Sequence, residues 1–542
     1  MKIESLTIEN VKSFYKPGEL TPNSGMNVFI GSNGGGKTTF LNLMRLLLLG
    51  HLVKQYEIFK QTDGREEIRE VNLSDDAVSE KHFERPNETN SITIKIKATK
   101  EDIKNANILL ANVKLIKKTF NEVQNMPSNV QNFFMNFKMF EEQTYEYVLK
   151  NNTISPTNDN FLLYLKNINL FSLLIERHNQ SNNDNKIDEL SIPIFYIPST
   201  RKVHGEALVI LADFDPANLL QQSITNPDQE HLFKLIKYRI CSIYRKLRES
   251  DDEFKRHPKI KNLIENLGKI GFDFTLELKN DNKNAYKFII SKNKKKIEIS
   301  KLSAGEQQLI YFVFLLSFSN VKNGVVLIDE PELHLHPTWQ KLLLHVLYEI
   351  SKDSQIQIFL VTHSANLIDV DTIKDIIRIY YDYDSDTSKF FKAPANSNNS
   401  FYHRFLNATN NEKVFFSDFV IVCEGICDKY VFSQFNLLKS ISKNKVGELI
   451  EDGGVDKIDG IRKFLDAWKI KNYVIVDSNA TCSDSTGAYR LKRVDISEYF
   501  GFGKDNKPLS KFIDYFQNGD EFPEDLKNEL NVIIQQITSD LD

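Results

Sequence analysis

The chain has 542 residues, of which 41% are hydrophobic and 26% are charged. This length predicts two or more domains, and the composition is that of an ordinary globular protein. The formal net charge of −4 gives no support for nucleic-acid binding by the chain as a whole, although a local basic patch stays open. Four scattered cysteines exclude a disulfide framework and favour a reducing cytoplasm. No apolar stretch is long enough to span a membrane, and the N-terminus carries no apolar signal region.

The first predicted elements are a strand, a glycine-rich loop and a helix. Residues 2–9 alternate between apolar and polar side chains, as in a half-buried strand. A short apolar strand at residues 26–30 runs directly into the segment GSNGGGKT, residues 31–38. Residues 38–49 then have the leucine-rich pattern of a buried helix. A strand, this loop and a helix form the context of a P-loop, whose backbone N–H groups bind a polyphosphate.

The P-loop residues have distinct predicted roles in binding ATP and Mg²⁺. Lys37 is placed to reach the β- and γ-phosphates, and Thr38 offers its hydroxyl to Mg²⁺. A glycine-rich turn that happens to hold a lysine is the alternative, and it becomes negligible once the later motifs are considered. The predicted ATP-binding residues here are Asn33, Gly34, Gly36, Lys37, Thr38 and Thr39.

A long stretch after the P-loop is predicted to contain helical insertions. Residues 91–99 alternate like a strand, whereas residues 100–190 and 205–268 are mainly helical in pattern. Four phenylalanines between residues 133 and 140 are interpreted as core. Residues 272–290 predict two strands joined by a polar turn.

A basic run precedes the next motif, LSAGEQQ, residues 302–308. The run is either a solvated hairpin tip, which is the commoner case, or a contact to nucleic-acid phosphates. The small residues of LSAGEQQ predict a helix start whose positive end meets a γ-phosphate. The basic residues are Lys292, Lys294, Lys295 and Lys296.

Two acids end a buried strand further along the chain. Residues 325–328 form an apolar strand that places Asp329 at its carboxyl end, where ligands bind in open α/β sheets. Asp329 is predicted to hold Mg²⁺, and Glu330 to orient and polarise the attacking water. His334 and His336 follow, and they are either a metal pair or, as we favour, part of the loop after the acidic strand.

These motifs, with VTHS at residues 361–364, resemble in their order those of ABC-type ATPases, the group that includes chromosome-maintenance and break-repair ATPases. The resemblance implies that LSAGEQQ faces the P-loop of a second protomer, so that two ATP molecules are held in a head-to-tail homodimer. It makes His363 a switch histidine that contacts the γ-phosphate, although a lone histidine after a strand is usually structural. Gln55 and Gln61 are candidates for the family's glutamine loop. The implied nucleotide contacts of the signature motif are Ser303, Gly305 and Glu306.

A second domain is predicted beyond the fourth ATPase motif. Residues 376–380 predict an edge strand, and a polar linker follows at about residues 385–412. Apolar strands at residues 419–423 and 473–476, with helix-like stretches around them, predict a small parallel α/β domain of about 130 residues. Cys423 and Cys427 have no histidine nearby, and we interpret them as core cysteines rather than zinc ligands.

The C-terminal motifs resemble those of a TOPRIM domain. Glu424 follows the first of these strands, and Asp477 follows the second. The resemblance implies that both carboxylates hold Mg²⁺ or Mn²⁺ for phosphodiester cleavage. Asn479 stands where the family has a second aspartate; its amide oxygen can still coordinate a metal, but metal affinity should fall because one charge is lost. Asp484 and Lys492 are candidate substitutes.

Taken together, the motifs resemble those of the OLD (overcoming lysogenization defect) nucleases. This implies an α/β chain with an ABC-type P-loop ATPase domain at residues 1–395, helical insertions included, and a TOPRIM-like domain at residues 412–542. The resemblance further implies ATP-controlled cleavage or binding of DNA in defence against phage. The protein would act in the cytoplasm as a homodimer or higher oligomer, with or without a partner protein or nucleic acid.

Two other functions stay open. The chain is alternatively a sensor or scaffold ATPase whose C-terminal domain binds a partner protein or a nucleic acid and cuts nothing, and Asn479 favours this reading. A recombination-mediator ATPase that loads proteins on DNA is the third possibility, and the Glu424 motif argues against it.

Overall fold

The computed structural model describes most of the chain in separate segments. These are residues 1–60, 66–71, 88–121, 127–157, 159–181, 185–199, 208–210, 229–247, 250–280, 285–293, 295–392, 400–408, 411–452, 458–480, 487–502 and 509–541. Contacts between Cα atoms divide the chain into two compact units. Unit 1 comprises Met1–Phe29, Gly36–Thr362 and Tyr381–Lys389. Unit 2 comprises Ile30–Gly35, His363–Tyr380 and Phe390–Asp542.

The strands of the described segments belong to five sheets. In unit 1 or shared between the units they are β1 Lys2–Glu9, β2 Gly18–Leu20, β3 Met26–Ile30, β4 Gln55–Lys60, β5 Glu66–Val71, β6 Ser91–Lys97, β7 Thr144–Lys150, β8 Thr153–Ser155, β9 Ile192–Ile197, β10 Leu208–Ile210, β11 Phe272–Asn280, β12 Ala285–Lys292, β13 Lys295–Glu298, β14 Val321–Asp329, β15 Gln357–Val361, β16 Ile376–Asp382 and β17 Thr387–Lys392. In unit 2 they are β18 Phe419–Cys423, β19 Gly447–Glu451, β20 Lys471–Val476 and β21 Ala488–Arg490.

The α-helices lie between and after these strands. Those before β18 are α1 Lys37–Leu46, α2 Lys100–Asn121, α3 Ser128–Asn136, α4 Asn160–Ser181, α5 Gln229–Lys246, α6 Asp251–Arg256, α7 Pro258–Lys269, α8 Ala304–Phe318, α9 Pro337–Asp353 and α10 Ser400–Tyr402. Those after β18 are α11 Ile426–Gln434, α12 Leu437–Ile441, α13 Ile458–Ala467, α14 Leu509–Gln517 and α15 Glu524–Leu541. None of the helices in the described segments has both the length and the apolar character needed to cross a membrane.

A six-stranded sheet in the order β17-β16-β3-β15-β14-β9 carries the predicted nucleotide motifs. Strands β3, β15, β14 and β9 are parallel to one another. Every residue of β3 and β15 is buried, as expected for strands covered on both faces. The register aligns Phe29 with Val361 and Val361 with Asp329. The carboxyl ends of β3, β15 and β14 therefore lie at one edge of the sheet, and the strands predicted at residues 26–30 and 325–328 are confirmed.

A second sheet, β2-β1-β6-β7-β8, is antiparallel and corrects the prediction for residues 100–190. Strands β7 and β8 form a hairpin inside the stretch that was predicted to be mainly helical. Tyr147 and Leu149 are buried at alternate positions of β7, and Asn151 and Asn152 turn the chain with φ values of 47° and 61°. This alternation is too short to stand out among the polar residues around it. Helices α2, α3 and α4 confirm the rest of the prediction.

Nearby aromatic residues behave only partly as predicted. Phe133 and Phe140 are buried core residues, whereas Phe134 and Phe137 are half-buried. Phe137 stacks on Phe133 with ring centroids 4.2 Å apart. The cluster therefore packs against the core at its edge.

The two strands predicted between residues 272 and 290 are confirmed as β11 and β12, which pair antiparallel. Their connecting residues, 281–284, lie outside the described segments. Within residues 205–268, the described segments form helices α5, α6 and α7 together with strand β10, which was not predicted.

The prediction that residues 376–380 form an edge strand is wrong. Strand β17 continues the sheet beyond β16 and lies inside the predicted linker at residues 385–412. The polar composition of β17 is misleading because Thr387 and Ser388 are buried. The Thr387 hydroxyl accepts hydrogen bonds from the backbone N–H groups of Tyr15 and Lys16 at 2.8 and 3.1 Å. Buried polar groups are tolerated when they are hydrogen-bonded in this way.

Unit 2 contains a parallel sheet in the order β19-β18-β20-β21, which confirms the predicted parallel α/β fold. Its core joins the apolar strand residues to helices α11, α14 and α15. Cys423 and Cys427 are buried in this core, and burial raises the pKa of Cys423 well above its usual range. The Cys423 thiol donates to the carbonyl oxygen of Ile450 at 3.3 Å.

Candidate functional site

In unit 1, the second half of the P-loop starts helix α1. Gly36 caps the helix with a φ of 109°, and its carbonyl oxygen accepts from the N–H of Phe40 at 2.8 Å. A Cβ at Gly36 would lie 2.9 Å from the Ser388 hydroxyl, so this position requires glycine. Lys37 is buried with 3% of its surface exposed, Thr38 is exposed and Thr39 is half-buried. The predicted phosphate and Mg²⁺ contacts therefore occupy the N-terminus of a ten-residue helix.

In unit 2, the first half of the P-loop packs against the backbone of β16. Gly31 has a φ of 146°, and a Cβ there would lie 1.9 Å from the carbonyl oxygen of Ile379. A Cβ at Gly35 would lie 2.9 Å from the same oxygen. Asn33 and Gly34 are exposed. Close packing against Ile379 therefore requires glycine at positions 31 and 35, which the motif alone did not indicate.

The predicted Mg²⁺ ligand Asp329 and the predicted catalytic Glu330 lie at the carboxyl end of β14. Asp329 and Glu330 are both half-buried. The backbone N–H of Glu330 donates to the carbonyl oxygen of Val361 at 2.9 Å, and Glu330 has a φ of 42°. This left-handed conformation is uncommon for a residue with a side chain, and it is typical of functional turns.

Sequence reasoning missed Tyr196, which lies near the predicted Mg²⁺ ligand Asp329, and its neighbour Arg45. Tyr196 lies on β9, in register with Leu327 of the neighbouring β14. Burial raises the pKa of Tyr196, the Asp329 carboxylate raises it further, and Arg45 opposes both effects. The Arg45 guanidinium lies 5.4 Å from the centroid of the Tyr196 ring. No sequence signal identifies these two residues, because only the pairing of β9 with β14 brings Tyr196 close to Asp329.

The signature segment starts helix α8 with a complete capping box. The Ser303 N–H and hydroxyl donate to Glu306 Oε2 at 3.0 and 2.8 Å, while the Glu306 N–H donates back to the Ser303 hydroxyl at 3.4 Å. Ser303 is exposed. A Cβ at Gly305 would make ordinary contacts of 3.7 Å with His334 and Leu335, so the signature segment packs beside the loop that follows β14.

The basic run before the signature segment forms ion pairs within its own unit. Lys292 pairs with Glu306 and lies 5.5 Å from the ring centroid of Phe272. Lys296 pairs with Glu277 at 2.9 Å. Burial opposes ionisation of Glu306, but hydrogen bonds from Lys292 and Ser303 hold the pKa of Glu306 below its usual value. Lys294 lies outside the described segments. Lys292 therefore supports the signature helix, whereas a phosphate contact by the run stays a prediction.

The remaining predicted ATPase residues have varied surroundings. His363 is exposed, two residues beyond the end of β15. His334 and His336 are exposed, and His336 Nδ1 accepts from the N–H of Thr338 at 3.4 Å as the N-cap of α9. Gln55 is buried, its side chain donates to the Val53 carbonyl and accepts from Asn169, and these contacts are structural. Gln61 lies outside the described segments.

In unit 2, the structure brings Glu424 and Asp477 together. Glu424 follows β18, Asp477 follows β20, and the two strands are adjacent and parallel. The backbone N–H of Asp477 donates to Glu424 Oε1 at 3.0 Å. Asp477 is buried with 3% of its surface exposed, whereas Asn479 is exposed.

Two more acids lie at the same sheet edge. Glu451 ends β19 in register with Cys423, and the N–H of Asp452 donates to the Cys423 carbonyl at 3.0 Å. Lys429 lies 3.6 Å from Glu451. Sequence reasoning missed both acids because β19 is a short strand with a mixed burial pattern. Asp484 lies outside the described segments, and the Lys492 N–H donates to Glu529.

The oxygen-only donors of Glu424 and Asp477 fit Mg²⁺ or Mn²⁺, which prefer carboxylate ligands. Within the described segments, however, no three His, Cys, Asp or Glu side chains are grouped closely enough to hold a metal ion. Among the described residues, Glu424 and Asp477 are therefore a pair of neighbouring carboxylates.

Comparison with known families agrees with this arrangement. Residues 1–368, more than half of the chain, match the family model described as AAA ATPase domain. The chain belongs to this AAA ATPase family. Residues 415–478 match the TOPRIM domain of overcoming-lysogenization-defect-like proteins, which contains Glu424 and Asp477. The predicted recognition of an ATPase head joined to an OLD-like TOPRIM domain is confirmed, whereas the predicted boundaries at residues 395 and 412 stay predictions.

Several curated proteins are similar to parts of this AAA ATPase. Septu protein PtuA of Bacillus thuringiensis is 32% identical over 19% of this chain and 28% of its own length. OLD nuclease of Thermus scotoductus is 29% identical over 31% of this chain and 34% of its own length. Retron Ec83 probable ATPase of Escherichia coli is 34% identical over 15% of this chain and 16% of its own length. The chain thus spans about a third or less of each of these relatives.

Among solved structures, the chain is similar to the SMC head bound to the C-terminal winged-helix domain of ScpA. The TM-score is 0.40 at 16% identity, covering 73% of this chain and 99% of that one. The SMC head domain from Thermotoga maritima gives a TM-score of 0.36 at 10% identity, covering 73% of this chain and all of that one.

Proposed function

We propose that this protein hydrolyses ATP as an ABC-type ATPase and thereby controls a TOPRIM-like DNA endonuclease in bacterial defence against phage. The observation that carries the ATPase part is the shared sheet edge at which Phe29, Val361 and Asp329 are in register. Membership of the AAA ATPase family supports it. The OLD-like TOPRIM match and the partial similarity to OLD nuclease support the nuclease part.

In the proposed ATPase, each predicted residue has one task. The glycine-rich loop and Lys37 bind the phosphates, and Thr38 and Asp329 hold Mg²⁺. Glu330 accepts a proton from the attacking water, and His363 contacts the γ-phosphate. A bound divalent cation would neutralise charge that develops on the phosphates.

The signature segment completes the site in a head-to-tail homodimer. Ser303 is exposed at the start of the fifteen-residue helix α8, which leaves it accessible to a nucleotide on a second copy. Glu306 maintains this helix start through the capping box, and Gly305 lies beside the loop that follows β14. ATP binding would therefore join two protomers in the cytoplasm, and hydrolysis would release them.

In the proposed nuclease, Glu424 and Asp477 hold the divalent cation beside a DNA phosphodiester. Their hydrogen bond fixes the Glu424 carboxylate relative to the end of β20. A bound Mg²⁺ or Mn²⁺ supplies Lewis-acid stabilisation of the phosphodiester transition state. Asn479 contributes a neutral oxygen donor from an exposed position.

The second candidate function is a sensor or scaffold ATPase whose TOPRIM-like domain binds a partner protein or nucleic acid without cutting. Two observations favour it. Asn479 replaces the second aspartate, and no group of three metal-binding side chains is present in the described parts of the chain. This candidate retains ATP-dependent dimerisation but excludes metal-dependent cleavage.

A plasmid-nicking assay on the full chain separates the two functions. The assay uses Mg²⁺ or Mn²⁺, with and without ATP, and compares the unmodified protein with Glu424→Ala. Glu521→Ala, at an exposed position of the same unit, is the matched control. Nicking that is lost only in Glu424→Ala supports the nuclease. Absence of nicking in either metal, with ATP hydrolysis intact, removes the nuclease and leaves the scaffold.

A further inference from the structure

Two consecutive residues of β16 contact the P-loop and the turn that precedes β20 of the TOPRIM-like sheet. The Ile379 carbonyl is the group that leaves no room for a Cβ at Gly31 or Gly35. The side chain of the preceding residue, Arg378, reaches the end of helix α13. All of these residues belong to unit 2, which combines the P-loop segment Ile30–Gly35 with the TOPRIM-like part of the chain.

Arg378 is a buried cation with a defined set of partners. Only 3% of its surface is exposed, and its Nη1 donates to the carbonyl oxygens of Trp468 and Lys469 at 3.2 and 2.6 Å. Burial lowers the pKa of Arg378 to about 10, so the guanidinium stays charged at neutral pH. A cation beside the last carbonyls of a helix is stabilised by the negative end of the helix dipole.

The two acceptor carbonyls lie in the turn that joins α13 to β20. Trp468 is fully buried against Phe415, with ring centroids 4.8 Å apart. The N–H groups of Lys469 and Ile470 donate back to Asp466 and Leu465 at 3.0 and 2.8 Å. The turn is therefore a closely packed, hydrogen-bonded unit, and a displacement of its carbonyls would move the start of β20.

Strand β20 connects this turn to the candidate metal site. It runs from Lys471 to Val476, and the next residue is Asp477, which donates its N–H to Glu424. Five of its six residues are buried, and such a strand shifts as a unit because the packed interior resists continuous deformation. A continuous set of contacts thus runs from the P-loop glycines through residues 378 and 379 to both candidate metal ligands.

We propose that Arg378 is a positioning residue that couples nucleotide binding at the P-loop to the placement of Asp477 and Glu424. Phosphate binding orders Gly31–Gly35 against Ile379, and Arg378 transmits the resulting shift of β16 to the α13–β20 turn. The role of this coupling in controlling DNA cleavage rests on the proposed function. The coupling itself can be present whether or not the protein cuts DNA. An equally buried arginine with a purely structural role would stabilise the turn to the same extent with and without nucleotide.

Hydrogen exchange of the full chain tests the coupling. Amide exchange at Lys469 and Ile470 is measured with and without a slowly hydrolysed ATP analogue and Mg²⁺. In the unmodified protein we expect nucleotide to change the exchange rates of these two amides roughly tenfold. This is the factor by which one charge-assisted hydrogen bond changes the equilibrium for local opening. In Arg378→Met the nucleotide effect should vanish, and in Arg378→Lys, which keeps the charge, it should be partly restored.

Two controls make the result specific. Arg462→Met changes a half-buried arginine on α13 itself, whose Nε donates to Asn472, and should leave the nucleotide effect intact. ATP hydrolysis by Arg378→Met should stay within about twofold of the unmodified rate, because the Arg378 guanidinium donates to the Trp468 and Lys469 carbonyls and is not among the residues proposed to bind ATP. If Arg378→Met fails to fold, exchange with and without nucleotide is still compared in the unmodified protein and in Arg378→Lys, and these two comparisons decide the question.

Two outcomes would overturn the coupling. The first is that nucleotide leaves amide exchange at Lys469 and Ile470 unchanged in the unmodified protein. The second is that nucleotide changes this exchange in Arg378→Met as much as in the unmodified protein. Failure of the nuclease is recognised separately, as absence of plasmid nicking. If nucleotide changes amide exchange in the α13–β20 turn but the protein does not cut DNA, the coupling is supported and only the endonuclease function is removed.

Discussion

The backbone N–H of Glu330 donates a 2.9 Å hydrogen bond to the carbonyl oxygen of Val361, the last residue of the adjacent strand. This bond holds Glu330 at a φ of 42°, where a side chain costs roughly 1–2 kcal/mol. Strain of this kind persists only where the surrounding structure enforces it. The sheet edge therefore fixes the backbone of the residue predicted to activate water.

Glu330→Gln should abolish most ATP hydrolysis while preserving ATP binding. The amide is similar in size to the carboxylate but cannot accept the proton of the attacking water, so we expect a decrease of about a hundredfold to a thousandfold in the single-turnover rate. Rapid-quench measurement of phosphate release and equilibrium binding of labelled ATP test both parts. Glu349→Gln, on helix α9, is the matched control. Hydrolysis at the unmodified rate would exclude Glu330 as the base.

Gly31→Ala should be more damaging than Gly34→Ala, although both glycines have positive φ. Gly34 has open space around it, so alanine there adds only roughly 1–2 kcal/mol of backbone strain. At Gly31 the methyl group would also overlap the Ile379 carbonyl at 1.9 Å. Urea denaturation midpoints and ATP affinity for the two variants measure the difference. Equal changes in urea midpoint and ATP affinity for the two variants would show that Gly31 is not packed closely against Ile379 in solution.

Asn479→Asp should strengthen metal binding by the TOPRIM-like site. The substitution restores a carboxylate, and we expect the Mn²⁺ concentration for half-maximal binding to fall about tenfold. Calorimetric titration of Mn²⁺ measures this without requiring cleavage. Asn444→Asp adds the same charge at another exposed position of unit 2 and should have no effect. Equal affinity in the Asn479→Asp variant would mean that residue 479 does not reach the ion.

Glu306 should make the ATPase unit sensitive to acid. Because the folded-state pKa of Glu306 is held below its reference value of 4.5, its stabilising contribution is present above that pH and is lost as the pH falls through the folded-state pKa. Glu306→Gln lacks this contribution at neutral pH. The difference in thermal unfolding midpoint between the unmodified protein and Glu306→Gln should shrink by about half or more from about pH 7 to about pH 3. A constant deficit over this range would argue against an ionised Glu306–Lys292 pair.

Much of both candidate sites could be predicted because their sequence signals are local. The buried strands β3 and β18 are continuous apolar runs, and each motif follows its strand directly. Ser303 and Glu306 have the three-residue spacing of a capping box, so the helix start at Ala304 was readable from the sequence.

The missed features depend on contacts between distant segments. Tyr196 reaches Asp329 only because β9 pairs with β14, and Arg378 reaches Trp468 across ninety positions of the chain. Strand β17 was read as linker because its buried polar residues obtain their partners from Tyr15 and Lys16. Local periodicity contains no information about such partners.

Unit 2 is assembled from three stretches of chain that are remote from one another in sequence. A fragment beginning at the predicted boundary, residue 412, would lack both Ile30–Gly35 and His363–Tyr380. Without Arg378, the Trp468 and Lys469 carbonyls would lose their guanidinium donor. An isolated C-terminal fragment therefore lacks part of its own folding unit, and biochemical experiments should use the full-length chain.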